Sequence, residues 1–204
     1  MRGVFLDFST VSDGDMDLDP LRATLDDWDI RGLTPAGDIA AAIRDADVVV
    51  SNKAILDRAT IHSAADLKLI CVAATGYNNV DLAAAQERGI VVSNVRAYAT
   101  PSVVEHVFLL ILALNRRYME HVEAVKQGRW QTARRFSMLD FPFTELSGQT
   151  LGIIGFGELG RAVADVAHAF GMQVQVAERA GATVRPGRVS LERLYREADI
   201  ITLH

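Results

Sequence analysis

The chain has 204 residues, half of them apolar, and a formal charge of −5 from 21 basic and 26 acidic side chains. That length exceeds one average domain, the apolar fraction is enough for a packed core, and an acidic balance without a polybasic run argues against a nucleic-acid surface. Cys71 is the single cysteine, so an internal disulfide is excluded and a reducing, cytoplasmic setting is expected.

At the N-terminus only Val4, Phe5 and Leu6 precede Asp7, too short a run for a signal-peptide core, so nothing indicates export and the chain is expected to begin directly with a strand. Short apolar runs then alternate with helical patterns, the signature of βα units on a mostly parallel sheet. Strands are predicted near Gly3–Asp7, Ile30–Leu33, Val48–Val50, Leu69–Ala73 and Ile90–Val92. Helices are predicted near Leu21–Trp28, Asp38–Ala46, Asp57–Ala64 and Leu82–Arg88. Together they make a doubly wound domain ending near Arg96. The acidic run Asp13 to Asp19 imitates a calcium loop, but Leu18 and Thr24 stand where such a loop needs glycine and a bidentate glutamate, so it reads as solvated.

In a doubly wound sheet, ligands gather outside the carboxyl ends of the strands. Ser51-Asn52-Lys53 follows the third strand and Ala74-Thr75-Gly76-Tyr77-Asn78-Asn79 the fourth. Lys53 can offer a cation, and the N–H groups of Thr75 and Gly76 can receive a carboxylate; the same residues also read as a surface lysine and a glycine turn.

Thr100-Pro101-Ser102 opens a long helix, with Ser102 and Glu105 spaced as a capping box. Val103 to Leu114 is apolar nearly all round, which predicts burial between layers, domains or subunits; it is too short and too interrupted by Glu105 and His106 to span a bilayer. Arg129 to Ser147 has no clear period and reads as a surface loop. Next, a strand at Leu151–Ile154 runs into Gly155, Gly157 and Gly160, spaced G-x-G-x-x-G, and then into a helical stripe of Ala162, Val163, Val166, Ala167 and Phe170. Strand, glycines and helix in that order form a dinucleotide fingerprint, in which a pyrophosphate meets free helix N–H groups. A second strand, Met172 to Ala177, delivers Glu178 about twenty residues on, where a carboxylate can accept from the adenosine ribose. Ser190 caps a helix at Leu191–Glu197, and Asp199–Leu203 reads as the third strand of the cofactor unit.

With these residues in hand, the chain resembles the D-isomer-specific 2-hydroxyacid dehydrogenase family, on its glycerate dehydrogenase or hydroxypyruvate reductase side. The resemblance rests on Ser51–Lys53, Ala74–Asp81, Arg88–Asn94, Tyr98–Glu105, Glu145–Gly160 and Ala198–His204, in that order along nearly the whole chain. It implies an α/β protein with a flavodoxin-like, doubly wound substrate domain over residues 1–96. A truncated Rossmann cofactor domain, its first half only, would follow over 97–204. The resemblance places the substrate carboxylate on Thr75 and Gly76, with Lys53 nearby. It places NAD, or NADP, against Thr100, Gly155, Gly157, Glu158, Leu159, Gly160, Glu178, Arg179 and His204, and it implies a homodimer formed through the cofactor domain. No metal is implied, nor any membrane or nucleic-acid partner.

The chemistry implied is reversible hydride transfer between a nicotinamide and a small 2-hydroxy or 2-oxo acid. The family's proton-transferring histidine, its orienting glutamate and its carboxylate-clamping arginine all fall later than the motif at His204, so no catalytic residue is assigned in this chain. Turnover by the 204 residues alone is therefore not expected. The alternative is a dinucleotide-sensing, corepressor-like binding protein. Cofactor choice sets Glu178, which would repel a 2′-phosphate and favour NAD, against Arg179, which could pair with one.

Overall fold

The computed structural model describes residues 1–204 and divides into two compact units, Met1–Ala97 and Tyr98–His204. In the first, strands β1 (Arg2–Phe5), β2 (Asp27–Ile30), β3 (Val48–Ser51), β4 (Leu69–Val72) and β5 (Val91–Asn94) form a wholly parallel sheet in the order β2-β1-β3-β4-β5. Short helices α1 (Asp19–Arg22), α2 (Ile39–Ile43), α3 (Arg58–Ser63) and α4 (Leu82–Glu87) connect them. The chain steps outward from β1 to β2 and then returns past β1 to β3. The order therefore reverses at β1 and β3, and a ligand crevice belongs beyond their carboxyl ends.

All four residues of β3 are buried, as a strand covered on both faces requires. Val4, Leu6, Val49, Ile70 and Val72 pack with Ile39, Ile43, Ile61 and Ala84 in one core. The brief helices are fastened at their starts: Asp57 accepts from the Thr60 N–H and Asp81 from the Ala84 N–H, caps worth about 1 kcal/mol each.

Helix α2 ends at Ile43 rather than Ala46 and β5 runs on to Asn94 rather than Val92, and two elements near Trp28 depart from expectation. The helix predicted over Leu21–Trp28 is a single turn, Asp19–Arg22, and the strand predicted at Ile30–Leu33 lies earlier, at Asp27–Ile30. Trp28 causes the shift. It stands opposite Gly3 in the β1–β2 register, and a Cβ on Gly3 would meet its ring at 2.6 Å. The indole fills the space that glycine leaves and so draws residues 27 to 30 into the sheet.

The second unit begins with α5 (Thr100–Asn115) and α6 (Tyr118–Lys126), continues through residues 127–149 without helix or strand, and ends in β6 (Thr150–Ile154), α7 (Glu158–Ala169), β7 (Gln173–Val176), α8 (Leu191–Glu197) and β8 (Ile200–Leu203). Helix α5 starts two residues before the predicted capping box, so Ser102 lies inside the first turn and no side chain caps the end. Although α5 is apolar all round, it is buried on one face only. Phe108 and Ile111 join the core formed by Leu151, Ile153, Val163 and Ala167, whereas Leu109, Leu110 and Leu114 are exposed. No helix is long and apolar enough to cross a membrane.

The three strands stand in the order β7-β6-β8, all parallel. A third strand of the same half would lie beyond β7, but only an isolated bridge between Ala177 and Val189 occupies that place. β8 instead lies across β6, so the strand order reverses within this unit. Packing accounts for the crossing: a Cβ on Gly152 of β6 would come within 2.7 Å of Leu194 of α8, so α8 lies directly on β6 on the face that Gly152 leaves bare. Leu151 and Ile153, on the opposite face, pack against α7 and α5. Helices therefore cover both faces.

Candidate functional site

In the first unit, the carboxyl ends of β1, β3 and β4 are joined by a polar network. The Asp7 carboxylate, only 3% exposed, accepts the N–H groups of Asn52 at 2.8 Å, Lys53 at 2.6 Å and Ala54 at 2.8 Å. Three successive amides thus form a nest around an anion supplied by the protein itself. Asn52 Nδ2 donates to the Thr10 carbonyl and hydroxyl, and Asn79 Nδ2 to the Ala54 carbonyl at 2.9 Å. The Lys53 side chain is exposed, and only its backbone N–H takes part in the clamp. The N–H groups of Thr75 and Gly76 donate to no protein acceptor, while the Thr75 carbonyl accepts from Asn94 Nδ2 at 2.8 Å. Two adjacent free amides on an exposed turn are chemically suited to an incoming carboxylate. Nothing in the sequence pattern distinguishes Asp7 as the clamp beyond its position as a polar residue directly after a buried strand.

In the second unit, Gly155 has φ +94°, and a Cβ there would stand 2.0 Å from the His204 carbonyl oxygen. A Cβ on Gly160 would stand 2.1 Å from the Gly155 carbonyl oxygen. Those two positions hold the turn closed. Gly157 differs, because a Cβ there would meet nothing within 4 Å: its bareness serves open space in front of α7. Helix α7 has no side-chain cap, and its first internal backbone bond comes from Arg161 N–H to the Gly157 carbonyl. The N–H groups of Glu158, Leu159 and Gly160 therefore face outward at the positive end of the helix dipole, a ready anion site. The Thr100 hydroxyl donates to the Glu158 carboxylate, joining the starts of α5 and α7.

Ile154, Gly155, Phe156, Gly157, Ala177, Glu178, Arg179, Arg185, Arg188 and His204 line one open cavity of about 410 Å³ here, within the size range of small-molecule sites. Glu178 is 4% exposed at the end of β7. It does not stand free for a ribose. Arg185 grips both its oxygens, Nε to Oε2 at 2.6 Å and Nη2 to Oε1 at 2.7 Å, and the Arg179 N–H donates to Oε1 at 3.0 Å. Hydrogen bonding from Arg185, aided by the Arg179 amide, holds the carboxyl down at about 2 from the ordinary 4.5. Since the folded value is depressed, the pair's stabilisation is fully present above 4.5, declines progressively below it and is gone once the pH has fallen through about 2. Arg185 and Arg188 were not legible as site residues, because the turn that folds them back on Glu178 has no sequence period.

His204 Nε2 meets the Thr202 hydroxyl at 3.0 Å, and desolvation lowers its pKa, so the ring is neutral near pH 7. It has no carboxylate partner of the kind a catalytic base needs for orientation. Cys71 is half-buried, its thiol pushed up by burial, which makes it a poor nucleophile.

The geometry separates folding from binding at one glycine. Gly157→Ala is expected to leave stability within about 1 kcal/mol of the parent, since the methyl meets nothing within 4 Å. The same methyl would stand in front of the free amides, so binding of an adenine dinucleotide should weaken at least about tenfold, or 1.4 kcal/mol. Thermal melting and titration calorimetry on the same sample check both halves.

The family model described as D-isomer specific 2-hydroxyacid dehydrogenase, catalytic domain, matches residues 8–188. The chain is 40% identical over 167 residues to a glycerate dehydrogenase of Methylorubrum extorquens, an alignment covering 82% of this chain and 52% of that protein. It is 32% identical to a hydroxypyruvate reductase of Blautia hydrogenotrophica, covering 100% of this chain and 65% of that one. Among solved structures, D-lactate dehydrogenase from Aquifex aeolicus, complexed with NAD and lactic acid, superposes with a TM-score of 0.75 at 26% identity, over 100% of this chain and 60% of that one. The chain thus spans between about half and two thirds of the length of these relatives.

Proposed function

This chain belongs to the D-isomer-specific 2-hydroxyacid dehydrogenase family, and on that footing we propose that it carries the dinucleotide site and the carboxylate-binding loop of a cytoplasmic oxidoreductase acting on a small D-2-hydroxy acid or 2-oxo acid, of the glycerate, hydroxypyruvate or glyoxylate kind. The observation that carries this reading is the uncapped start of α7 behind the Gly155–Gly160 turn, opening on the cavity that Glu178 and His204 line. A nicotinamide dinucleotide bound there supplies or takes up the hydride. The amides of Glu158, Leu159 and Gly160 hold its pyrophosphate, while the side chains of Glu178 and Arg179 lie toward the adenosine ribose and His204 lies along the cofactor. Thr100 acts through its hydrogen bond to Glu158. In the first unit, the Thr75 and Gly76 amides receive the substrate carboxylate, and Lys53 adds a positive charge beside them.

Proton transfer requires a group that can exchange a proton near neutral pH and is held in place by a partner. His204, with the Thr202 hydroxyl as its contact, does not meet that description. We therefore assign no catalytic residue to this chain and propose that the 204 residues bind dinucleotide without turnover, which belongs to a longer polypeptide carrying the arginine, glutamate and histidine. The exposed Leu109, Leu110, Leu114 and Met119 on α5 and α6 support a homodimer formed through this unit.

The test compares the 204-residue chain with a polypeptide extended to the length of its relatives, using NADH and NADPH with hydroxypyruvate and glyoxylate. Both proteins are expected to bind dinucleotide, and only the longer one to oxidise it. Turnover by the 204-residue chain would overturn the assignment of catalysis elsewhere. Tight binding without turnover by the longer protein would favour a dinucleotide-sensing protein instead.

A further inference from the structure

Resting on the dinucleotide reading above, we infer that Arg185 is a specificity-determining residue: by occupying Glu178 it cancels the acidic selector at the end of β7 and makes the site accept a dinucleotide bearing a 2′-phosphate.

A carboxylate offers about four lone-pair directions. Glu178 uses Oε1 for the Arg179 N–H and Arg185 Nη2, and Oε2 for Arg185 Nε, with the Arg185 N–H a longer fourth contact at 3.4 Å. No direction is left for the two hydroxyls of an adenosine ribose, the contacts that would select the unphosphorylated cofactor. The fork is bidentate, the strongest arrangement available to this pair, and Glu178 itself is nearly inaccessible. A ribose hydroxyl would have to displace a bond charged on both sides to gain one in which only the acceptor is charged.

Charge then decides what the site favours. Three guanidinium groups, of Arg179, Arg185 and Arg188, share the cavity wall with one carboxylate. Arg188 lies 5.9 Å from the centroid of the Phe156 ring and donates to the Ala177 carbonyl at 3.2 Å, with its Nε 3.9 Å from Glu178. The Arg179 side chain makes no hydrogen bond or ion pair with the protein and keeps all its donors. Donors and positive charge are both in excess at the point where a 2′-phosphate would project. A dianionic phosphate can accept from Arg179 and share Arg185 with Glu178 as an ion pair, whereas a neutral hydroxyl can accept a single hydrogen bond at most and gains no ion pairing. Glu178 would repel the phosphate only if Arg185 were removed, so the two residues act as one unit whose sign is set by the arginine.

Titration calorimetry of the 204-residue chain with adenosine 5′-monophosphate and adenosine 2′,5′-bisphosphate isolates this term, because the probes differ by the phosphate alone. The parent is expected to bind the bisphosphate roughly tenfold tighter or more, the scale of one charge-assisted contact. Arg185→Ala should bring the ratio to one or below, with monophosphate binding retained, and Glu178→Gln should hold or increase the parent preference. Arg185→Ala leaves Glu178 with the Arg179 N–H and the nearby Arg188 guanidinium, so the substitution is expected to lower stability without unfolding the unit. Monophosphate binding at least as tight as bisphosphate binding in the parent, or an unchanged ratio in Arg185→Ala, would overturn the inference while leaving the dinucleotide site standing. Failure of both probes to bind would overturn the dinucleotide reading and this inference together.

Discussion

Gly160→Ala is expected to destabilise the second unit by about 3 kcal/mol, near the upper end of overpacking costs, and to abolish measurable dinucleotide binding. Alanine is the better helix former by about 1 kcal/mol, which would favour the substitution if propensity decided the outcome. It does not. The new methyl would stand 2.1 Å from the Gly155 carbonyl oxygen and 3.2 Å from Ile153 Cγ2, and the first of these is backbone that cannot rotate aside. Either α7 moves away from β6, opening the core of Leu151, Ile153, Val163 and Ala167, or the Gly155 turn opens and carries the free amides out of position. For a unit of this size the loss corresponds to a fall in melting temperature of roughly 10–20 °C. Scanning calorimetry reads it directly. A melting temperature within about 2 °C of the parent would show that the close helix-strand approach does not depend on this glycine.

Asp7→Ala is expected to cost the first unit about 3 kcal/mol, because it leaves three amides of one buried turn without an acceptor, each worth about 1–3 kcal/mol if unpaired, with partial relief from water entering the space. Asp7→Asn distinguishes the role of charge and acceptor from that of size. Asparagine keeps one oxygen but turns an amide NH2 toward at least one of the N–H donors of Asn52, Lys53 and Ala54, so it should recover less than half of the loss. Urea unfolding of both variants, with amide exchange at Lys53 and Ala54, reports the effect. Retention of parental stability in Asp7→Asn would mean that the carboxylate fills space rather than organising the turn.

Interactions that act over a few residues leave a pattern in the sequence, and those that join distant residues do not. The runs at Val48–Val50 and Leu151–Ile154 are legible as buried strands because burial on both faces demands continuous apolar residues, and the glycine spacing after β6 is legible because it is local. Residues 21–33 mislead. Leu21, Leu25 and Trp28 carry helical spacing, yet the space over Gly3, distant in sequence, claims the indole for a strand. Helix α6 is too short to announce itself beside the longer apolar run that precedes it, and it starts from Arg117 at φ 50°, a left-handed turn with no glycine to mark it. The candidate site divides in the same way. Gly155, Gly157 and Gly160 are read from spacing, whereas the Arg185 fork on Glu178 and the Asp7 nest connect residues that no period relates.

The fit of Trp28 over Gly3 also gives the molecule a built-in optical distinction between its units. The chain has two tryptophans, Trp28 in the first unit and Trp130 in the second. The Trp28 indole N–H is hidden from solvent without an acceptor, while Trp130 is 51% exposed. The first is therefore expected to emit at shorter wavelength than the second. Opening of the β1–β2 pair moves the first signal to the red and leaves the second almost still, so the two halves of the chain can be watched separately in one cuvette without a label.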